Sequence, residues 1–293
     1  MILVTGANGN LGGRVVAHLR KLVGPSGFVA GTRTPGSPFT RELEQSGVSV
    51  RRADFDDPTT LPHAFEGIET ALIISTYADN SVRPRQNLNA IEAAKAVGVQ
   101  RLVYTSFAGA RADSLAEHSH QVHYPTEQAM IASGMDYTIL RHALYADILV
   151  NDLDETLASG VLHRPGGDAA CAYIARDDLG VSAATVLAGK GHENRIYTET
   201  MERPLKSAEI AALMSDVFGR EIRYEAVPAE AWPDYMTQHW GVPAHLARSS
   251  IGTMRAIEQG EFDVQTSDYA AITGHPPMDF EQFLRGVAAK RAA

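Results

Sequence analysis

The feature that most constrains this chain is a set of three regularly spaced glycines near its start. Gly6, Gly9 and Gly12 follow the apolar residues 1–5 and precede a segment in which apolar residues recur at helical spacing. Glycine permits a tight turn here and lets the backbone approach a pyrophosphate, which then faces the N-terminus of the helix. A glycine triplet alone is weak evidence, but its position between a strand and a helix predicts a dinucleotide-binding turn.

The first half of the chain continues as short apolar segments separated by helical patterns, which is typical of a parallel sheet. Strands are predicted over residues 1–5, 28–32, 48–54, 71–75, 101–105 and 137–140. Helices are predicted between them over residues 58–65, 86–97 and 126–132. This alternation predicts an α/β fold with a Rossmann-type, doubly wound parallel sheet.

The regular alternation ends near residue 142, which predicts a smaller, mostly helical C-terminal lobe. We assign residues 1–142 to a dinucleotide-binding domain and expect residues 170–200 to complete its sheet, with strands at 170–175 and 195–198 around a helix at 177–188. The substrate-side lobe then comprises residues 143–169 and 201–293. Its helices are predicted over residues 207–218, 229–239, 243–259 and 279–289.

Composition argues against several classes of function. A net charge of −9 disfavours a nucleic acid or an anionic membrane as the main partner. The single Cys171 excludes an intrachain disulfide and fits a reducing compartment. No apolar stretch reaches membrane-spanning length, and the strand pattern that follows Met1 at once leaves no room for a signal peptide. We therefore expect a cytoplasmic protein.

The end of the second predicted strand bears on which dinucleotide is bound. NAD sites usually place an acidic residue there for the ribose hydroxyls, whereas NADP sites place an arginine nearby. This chain has Thr32-Arg33 and no acid, so Arg33 could hold a 2′-phosphate and NADPH (NADP) is the predicted cofactor. The alternative is a solvated loop arginine. The predicted cofactor-binding residues lie in the glycine loop or near strand ends: Gly6, Asn8, Gly9, Asn10, Leu11, Arg33, Asp54, Phe55, Ser75, Thr76 and Ser106.

Segments along nearly the whole chain resemble the NmrA-like branch of the atypical short-chain dehydrogenases. They are the glycine spacing, Arg33, Tyr-Thr-Ser at 104–106, Tyr-Thr-Ile-Leu-Arg-His-Ala-Leu-Tyr at 137–145, Gly-His-Glu-Asn at 191–194 and Thr-Ser-Asp at 266–268. The chain looks most similar to family members that reduce triphenylmethane dyes or quinones, which implies an NADPH-dependent reductase. One departure is His142, because those reductases typically have asparagine at that position, which the resemblance places near the nicotinamide.

The residues that ordinary short-chain dehydrogenases use for proton transfer are not all present. Those enzymes pair a tyrosine with a lysine four residues later, whereas here Tyr124 is followed by Gln128 and His123 by Glu127. The usual relay is therefore disfavoured. A quinone or a stabilised carbocation can accept hydride directly, with most of the catalysis supplied by positioning.

His123, His142 and Tyr145 are the candidate catalytic residues. Histidine titrates near neutral pH, so either histidine could donate a proton or orient the substrate, with a structural role as the alternative for each. Tyr145 follows the sixth predicted strand, at the edge where ligands of this fold bind. We expect no metal site, because among His118, His120 and His123 only His120 and His123 could share a helical face, and no acidic residue or cysteine stands beside those two in sequence.

The leading hypothesis is a reductase that passes hydride from NADPH directly to a planar, conjugated small molecule, such as a quinone or a triphenylmethane-type dye. Two alternatives stay open. One is a biosynthetic reductase that acts on an enone, imine or ketone. The other is a non-catalytic binding protein that senses NADP(H), since the family that the chain resembles includes such sensors. A homodimer is compatible with each of them.

Overall fold

The computed structural model describes residues 1–292, which fold into two compact units. The first unit comprises Met1–Phe107, Gln121–Arg141 and Arg176–Tyr197. The second comprises Ala108–His120, His142–Ala175 and the described chain from Thr198 onward. This division separates residues 108–120 from the first unit, whereas the sequence pattern predicts one domain over residues 1–142.

The strands and helices alternate along the first half of the chain. The strands are β1 (Ile2–Val4), β2 (Phe28–Thr32), β3 (Ser49–Arg52), β4 (Thr70–Ile74), β5 (Arg101–Phe107), β6 (Asp136–His142), β7 (Leu144–Tyr145), β8 (Val161–Arg164), β9 (Ala170–Cys171), β10 (Tyr173–Ile174), β11 (Arg195–Glu199), β12 (Leu205–Lys206) and β13 (Arg223–Ala226). The helices are α1 (Asn10–Val23), α2 (Pro38–Gln45), α3 (Leu61–Phe65), α4 (Arg83–Ala96), α5 (Tyr124–Ala132), α6 (Leu153–Ser159), α7 (Arg176–Ala188), α8 (Ser207–Phe218), α9 (Trp232–Trp240), α10 (Ala244–Ala247), α11 (Ser250–Glu258), α12 (Asp268–Thr273) and α13 (Phe280–Ala292).

The main sheet has seven parallel strands in the order β3-β2-β1-β4-β5-β6-β11. Strand order therefore reverses between β1 and β4, which pair in register from Ile2 with Thr70. A doubly wound sheet binds its ligands beyond the carboxyl ends of the strands at such a reversal. The predicted fold class is confirmed, and the end of β1 is the place to search for a site.

The structure departs from the predicted elements in several places, and α6, α12, β8 and β13 were not predicted at all. Of residues 170–200, which were predicted to complete the sheet, β11 does so beside β6, whereas residues 170–174 form β9 and β10, which pair with β12 and β7 outside the main sheet. An apolar run predicts a strand but does not specify its partner. Helix α2 was missed because its first residue, Pro38, was included in a turn; Ser37 Oγ accepts a hydrogen bond from Thr40 N at 3.3 Å and caps this helix. The helix predicted over 243–259 is divided into α10 and α11.

The first unit is held together by an apolar face of α1 that packs into the core. Leu11, Val15 and Leu19 lie on this face and are buried, as their helical spacing requires. Helix α7 packs closely against α1, because a Cβ at Gly180 would lie only 2.7 Å from the Cβ of Arg14. The core contacts therefore fix the helix whose N-terminus follows the glycine loop.

The second unit contains a buried ion pair inside an aromatic cluster. Arg164 donates to the two carboxylate oxygens of Asp152 at 2.6 and 2.8 Å. Its guanidinium lies 5.6 Å from the ring of Trp232 and 5.4 Å from the ring of Trp240. Tyr235 stacks on Trp232 at 5.0 Å and donates a hydrogen bond to Asp152 at 3.0 Å. The two tryptophans and Tyr235 therefore stabilise the buried ion pair by ring stacking and cation–π contacts.

Candidate active site

The glycine loop between β1 and α1 has a backbone that only glycine accommodates at two positions. Gly6 has a φ of +62°, in the left-handed region that side chains disfavour. A Cβ on Gly12 would lie 2.1 Å from the carbonyl oxygen of Gly6, so this close turn requires a glycine. Gly9 directly precedes Asn10, the first residue of α1, and Asn8, Gly9 and Asn10 are all exposed. The loop therefore presents the N-terminus of a helix in an accessible position, as pyrophosphate binding requires.

Hydrogen bonds fix this loop to the neighbouring strands. Thr5 donates from Oγ1 to the carbonyl oxygen of Leu72 at 2.8 Å and accepts from the amide of Ile74 at 3.2 Å. The amide of Ala7 donates to the carbonyl oxygen of Gly31 at 3.0 Å. Since these bonds reach both β2 and β4, the loop is anchored on both sides of the strand from which it emerges.

Arg33 follows directly after the end of β2 and is exposed to solvent. Among residues 1–292 its side chain makes no ion pair or hydrogen bond with another residue. The nearby carboxylate of Asp54 lies 3.5 Å from Arg52, which also contacts Asp57 at 3.3 Å. Arg33 therefore keeps its guanidinium available for an anionic ligand.

Phe55 is placed differently from the predicted adenine contact. Its side chain is 5% exposed and belongs to the apolar core of the first unit, together with Leu3 and Phe65. Its carbonyl oxygen accepts a hydrogen bond from Asn89 at 2.9 Å. The ring is thus used in packing, while Asp54 is half-buried at the surface beside it.

Ser75 and Thr76 follow β4 as predicted, and both are engaged by the next helix. Arg83, the first residue of α4, donates from Nη2 to Ser75 Oγ at 3.0 Å, and Thr76 Oγ1 donates to Gln86 Oε1. Arg83 was not predicted as a site residue. The signal that could have identified it is an arginine at the start of the helix that follows β4, a strand that ends at the ligand-binding edge of the sheet.

His123 holds Arg83 from the other side. Arg83 Nη2 lies 3.2 Å from His123 Nε2, and a guanidinium can only donate, so Nε2 accepts. The neutral ring then carries its proton on Nδ1 and donates to Tyr104 Oη at 2.9 Å. Tyr104 is fully buried, and burial raises its pKa to about 12. With both nitrogens engaged, His123 positions Arg83 rather than donating a proton.

Glu127 occupies the position of the usual lysine, counted from His123, and forms a buried ion pair. Arg141 donates to its two carboxylate oxygens at 2.9 and 2.6 Å, and these hydrogen bonds raise the pKa of the guanidinium. Ser106 Oγ donates to the same carboxylate at 2.5 Å. The predicted cofactor residue Ser106 thus directs its hydroxyl to Glu127, which stabilises the ends of β5 and β6.

The second unit places His142 and Tyr145 together with a carboxylate that was not predicted. His142 Nδ1 lies 3.5 Å from Tyr145 Oη, and its Nε2 lies 3.4 Å from Glu199 Oε2. His142 is 1% exposed, Glu199 is fully buried and Tyr145 is half-buried. Burial lowers the pKa of His142 to about 3, so its ring is neutral near pH 7.

The described residues contain neither a metal-type cluster nor a membrane-spanning helix. No cluster of three or more histidine, cysteine, aspartate or glutamate residues that could hold a metal ion occurs between residues 1 and 292. In the same part of the chain, no helix combines the length and the apolar character needed to cross a membrane.

Comparison with known proteins gives matches along nearly the full chain. The NmrA-like family pattern matches residues 1–284. Quinone oxidoreductase 2 of Escherichia coli (strain K12) is 32% identical over 285 residues, covering 94% of each chain. The NAD(P)H azoreductase of Xenophilus azovorans is 30% identical over 290 residues, covering 99% of this chain and 98% of that protein. The crystal structure of the Citrobacter sp. triphenylmethane reductase complexed with NADP(H) has a TM-score of 0.88 at 33% identity, covering 97% of this chain and 99% of that one.

Proposed function

Because this chain belongs to the NmrA-like family, we propose that it is an NADPH-dependent reductase that transfers hydride directly to a planar, conjugated small molecule. Two features carry the proposal together. Arg33 is exposed, and the glycine loop has no room for a side chain at Gly12. Together they form a cradle for a pyrophosphate and a cation for a 2′-phosphate.

The residues present fit this cofactor. The pyrophosphate would lie on the amide groups around Gly9 and Asn10 at the start of α1, and Arg33 would hold the 2′-phosphate. Ser75 and Thr76 directly follow β4 and would lie on the ribose side of such a ligand. When bound, NADPH supplies a hydride at its nicotinamide ring.

The acceptor class follows from the groups that surround the usual relay position. Alcohol–ketone interconversion ordinarily depends on a lysine cation beside the catalytic tyrosine. Neither His123 nor Glu127 replaces that cation, because both side chains are engaged in buried contacts. An acceptor that takes hydride without that help, such as a quinone or a triphenylmethane cation, suits this site. The relatives named above are a quinone oxidoreductase, an azoreductase and a triphenylmethane reductase, which supports the same class.

The test is NADPH oxidation by the purified protein with a panel of acceptors. We expect turnover of about 1 s⁻¹ or faster with a benzoquinone and with malachite green, a triphenylmethane cation. Turnover restricted to enones, imines or ketones would instead favour the biosynthetic alternative. Tight NADPH binding without turnover of any acceptor would favour the sensor and contradict the proposal.

Three further assignments complete the proposal. We place the protein in the cytoplasm, because its single cysteine is buried and free. We assign residues 143–169 and 201–293 to substrate binding, with residues 1–142 and 170–200 serving the cofactor. A homodimer is our working oligomeric state, and light scattering of the purified protein tests it.

A further inference from the structure

His142 and Glu199 are brought together by the ends of two neighbouring strands. His142 is the last residue of β6 and Glu199 is the last residue of β11. The amide of Ala143 donates to the carbonyl oxygen of Glu199 at 3.0 Å, and the amide of Ala108 donates to that of His142 at 2.9 Å. The backbone therefore fixes the register that sets the imidazole beside the carboxyl group.

The residues on either side of Glu199 are fixed as well. The amide of Thr198 donates to Asp268 Oδ2 at 2.7 Å, and Thr200 Oγ1 accepts from the amide of Thr266 at 3.2 Å. These bonds give a structural role to Thr266 and Asp268. Both belong to the Thr-Ser-Asp segment at 266–268, for which the family resemblance alone indicates no role. The two bonds hold the backbone on both sides of Glu199 at the end of β11.

We propose that Glu199, His142 and Tyr145 form a proton relay that delivers the proton required after hydride transfer to an acceptor oxygen. This inference rests on the proposed reductase function and narrows it to acceptors, such as quinones, whose reduced form must gain a proton. Asparagine, expected at position 142 from the family resemblance, has an amide that cannot relay a proton.

The burial of the three groups determines the direction of the relay. An uncharged imidazole and an uncharged carboxyl group are favoured where both are removed from water, in agreement with the lowered pKa of His142. On this assignment Glu199 is the proton donor towards His142 Nε2, 3.4 Å away, and His142 Nδ1 is the proton donor towards Tyr145 Oη, 3.5 Å away. This arrangement leaves the hydroxyl proton of Tyr145, the half-buried member, to be donated to an acceptor.

The relay step balances in atoms and charge. Hydride transfer converts a quinone into a hydroquinone monoanion, and its oxygen forms a new O–H bond as the Tyr145 O–H bond breaks. The proton on His142 Nδ1 moves to the Tyr145 oxygen, and the Glu199 proton moves to His142 Nε2. Glu199 is left as a buried carboxylate. After the product leaves, a solvent proton adds to the oxygen of the half-buried Tyr145 as its hydroxyl proton returns to His142 Nδ1 and the Nε2 proton returns to Glu199, which restores the starting state. The contacts of 3.5 and 3.4 Å must shorten to about 2.6–3.2 Å for these transfers.

A comparison of two acceptors tests the relay. A triphenylmethane cation gains hydride on carbon and becomes neutral without a proton, whereas a quinone needs one. We expect Glu199→Gln and Tyr145→Phe to lower the ratio of kcat for quinone to kcat for dye by about 100-fold, the usual range of a general acid. A solvent deuterium isotope effect on kcat should accompany wild-type quinone reduction and be absent with the dye.

A matched control and a measurement independent of turnover complete the experiment. His192→Gln removes another histidine–tyrosine contact, from Nδ1 to Tyr197 Oη at 3.0 Å, and should leave the ratio at the wild-type value. In wild-type protein without cofactor, the ¹⁵N shifts of His142 should report a proton on Nδ1.

The possible outcomes separate the relay from the proposed function. An unchanged ratio in Glu199→Gln and Tyr145→Phe, or a His142 ring protonated on Nε2, overturns the relay and leaves the reductase intact. A wild type that reduces neither acceptor overturns both. If Glu199→Gln does not fold, as judged by its unfolding temperature, the half-buried Tyr145→Phe and the wild-type ¹⁵N shifts decide the question.

Discussion

The glycine loop and the His142–Glu199 pair both follow strands of one sheet, yet they are built in opposite ways. The loop is formed by contiguous residues whose backbone is exposed and whose side chains matter mainly by being small. The pair joins two side chains distant in sequence, both removed from solvent. A site of the first kind is visible as a spacing of residues, whereas a site of the second kind depends on strand register and becomes visible only after folding.

The largest effect is expected at Gly12, where the loop has no room for a side chain. Gly12→Val should weaken NADPH binding by more than about 100-fold, because the new Cβ would displace Gly6 and misalign several charge-assisted hydrogen bonds worth about 1.5–3 kcal/mol each. Gly13→Ala is the matched control, since its Cβ would meet its nearest neighbour at an ordinary 3.8 Å. Titration of NADPH into both variants checks this. If both variants lose NADPH affinity equally, the loop tolerates no substitution at either position, and the close approach of Gly12 to Gly6 is not the cause.

The second prediction concerns Arg33, the charged side chain that follows the end of β2. Arg33→Ala should weaken NADPH by roughly 10- to 100-fold through the loss of a bidentate phosphate contact, while NADH affinity stays nearly constant because NADH has no 2′-phosphate. Arg20→Ala removes the same charge from the last turn of α1 and should change neither constant. The four dissociation constants decide the assignment. A wild type that binds NADH as tightly as NADPH would remove the basis for an NADPH enzyme.

The same contrast explains how much of the molecule the sequence could predict. Strand β2 lies where the apolar pattern placed it, and Gly6, Gly9 and Gly12 form the predicted turn, because these features are set by neighbouring residues. Glu199 and Arg83 were missed, since each acquires its significance from a partner on another element. Phe55 was assigned to a ligand because its position at a strand end was visible but its burial was not.

The third prediction tests whether His142 stays uncharged in the fold. Burial lowers its pKa to about 3, while an unfolded chain protonates histidine below pH 6.5. The unfolded state therefore binds one more proton between these values, and the free energy of unfolding should fall with decreasing pH by up to about 1.4 kcal/mol per unit. His142→Asn should remove this slope between pH 6.5 and 5.

Chemical denaturation at several pH values measures this difference. His63→Asn serves as the control, because the His63 side chain is 76% exposed and its loss should leave the slope unchanged. If wild type and His142→Asn share one slope, the imidazole gains its proton in the folded state. The neutral arrangement of the relay would then be wrong, and His142 would instead form a charged pair with Glu199.

The smallest effect is expected at Tyr124, the tyrosine that the usual short-chain mechanism would select. It begins α5, and the residue four positions later is the exposed Gln128, so no lysine is present to assist proton transfer from its hydroxyl. Tyr124→Phe should therefore keep kcat for a quinone within about threefold of wild type, whereas loss of a working general acid costs about 10²–10⁴. Tyr145→Phe, measured under the same conditions, supplies the contrast between a tyrosine outside the relay and one inside it. A thousandfold loss in Tyr124→Phe, with Tyr145→Phe near wild type, would return proton transfer to α5 and exclude the ends of β6 and β11 from the chemistry.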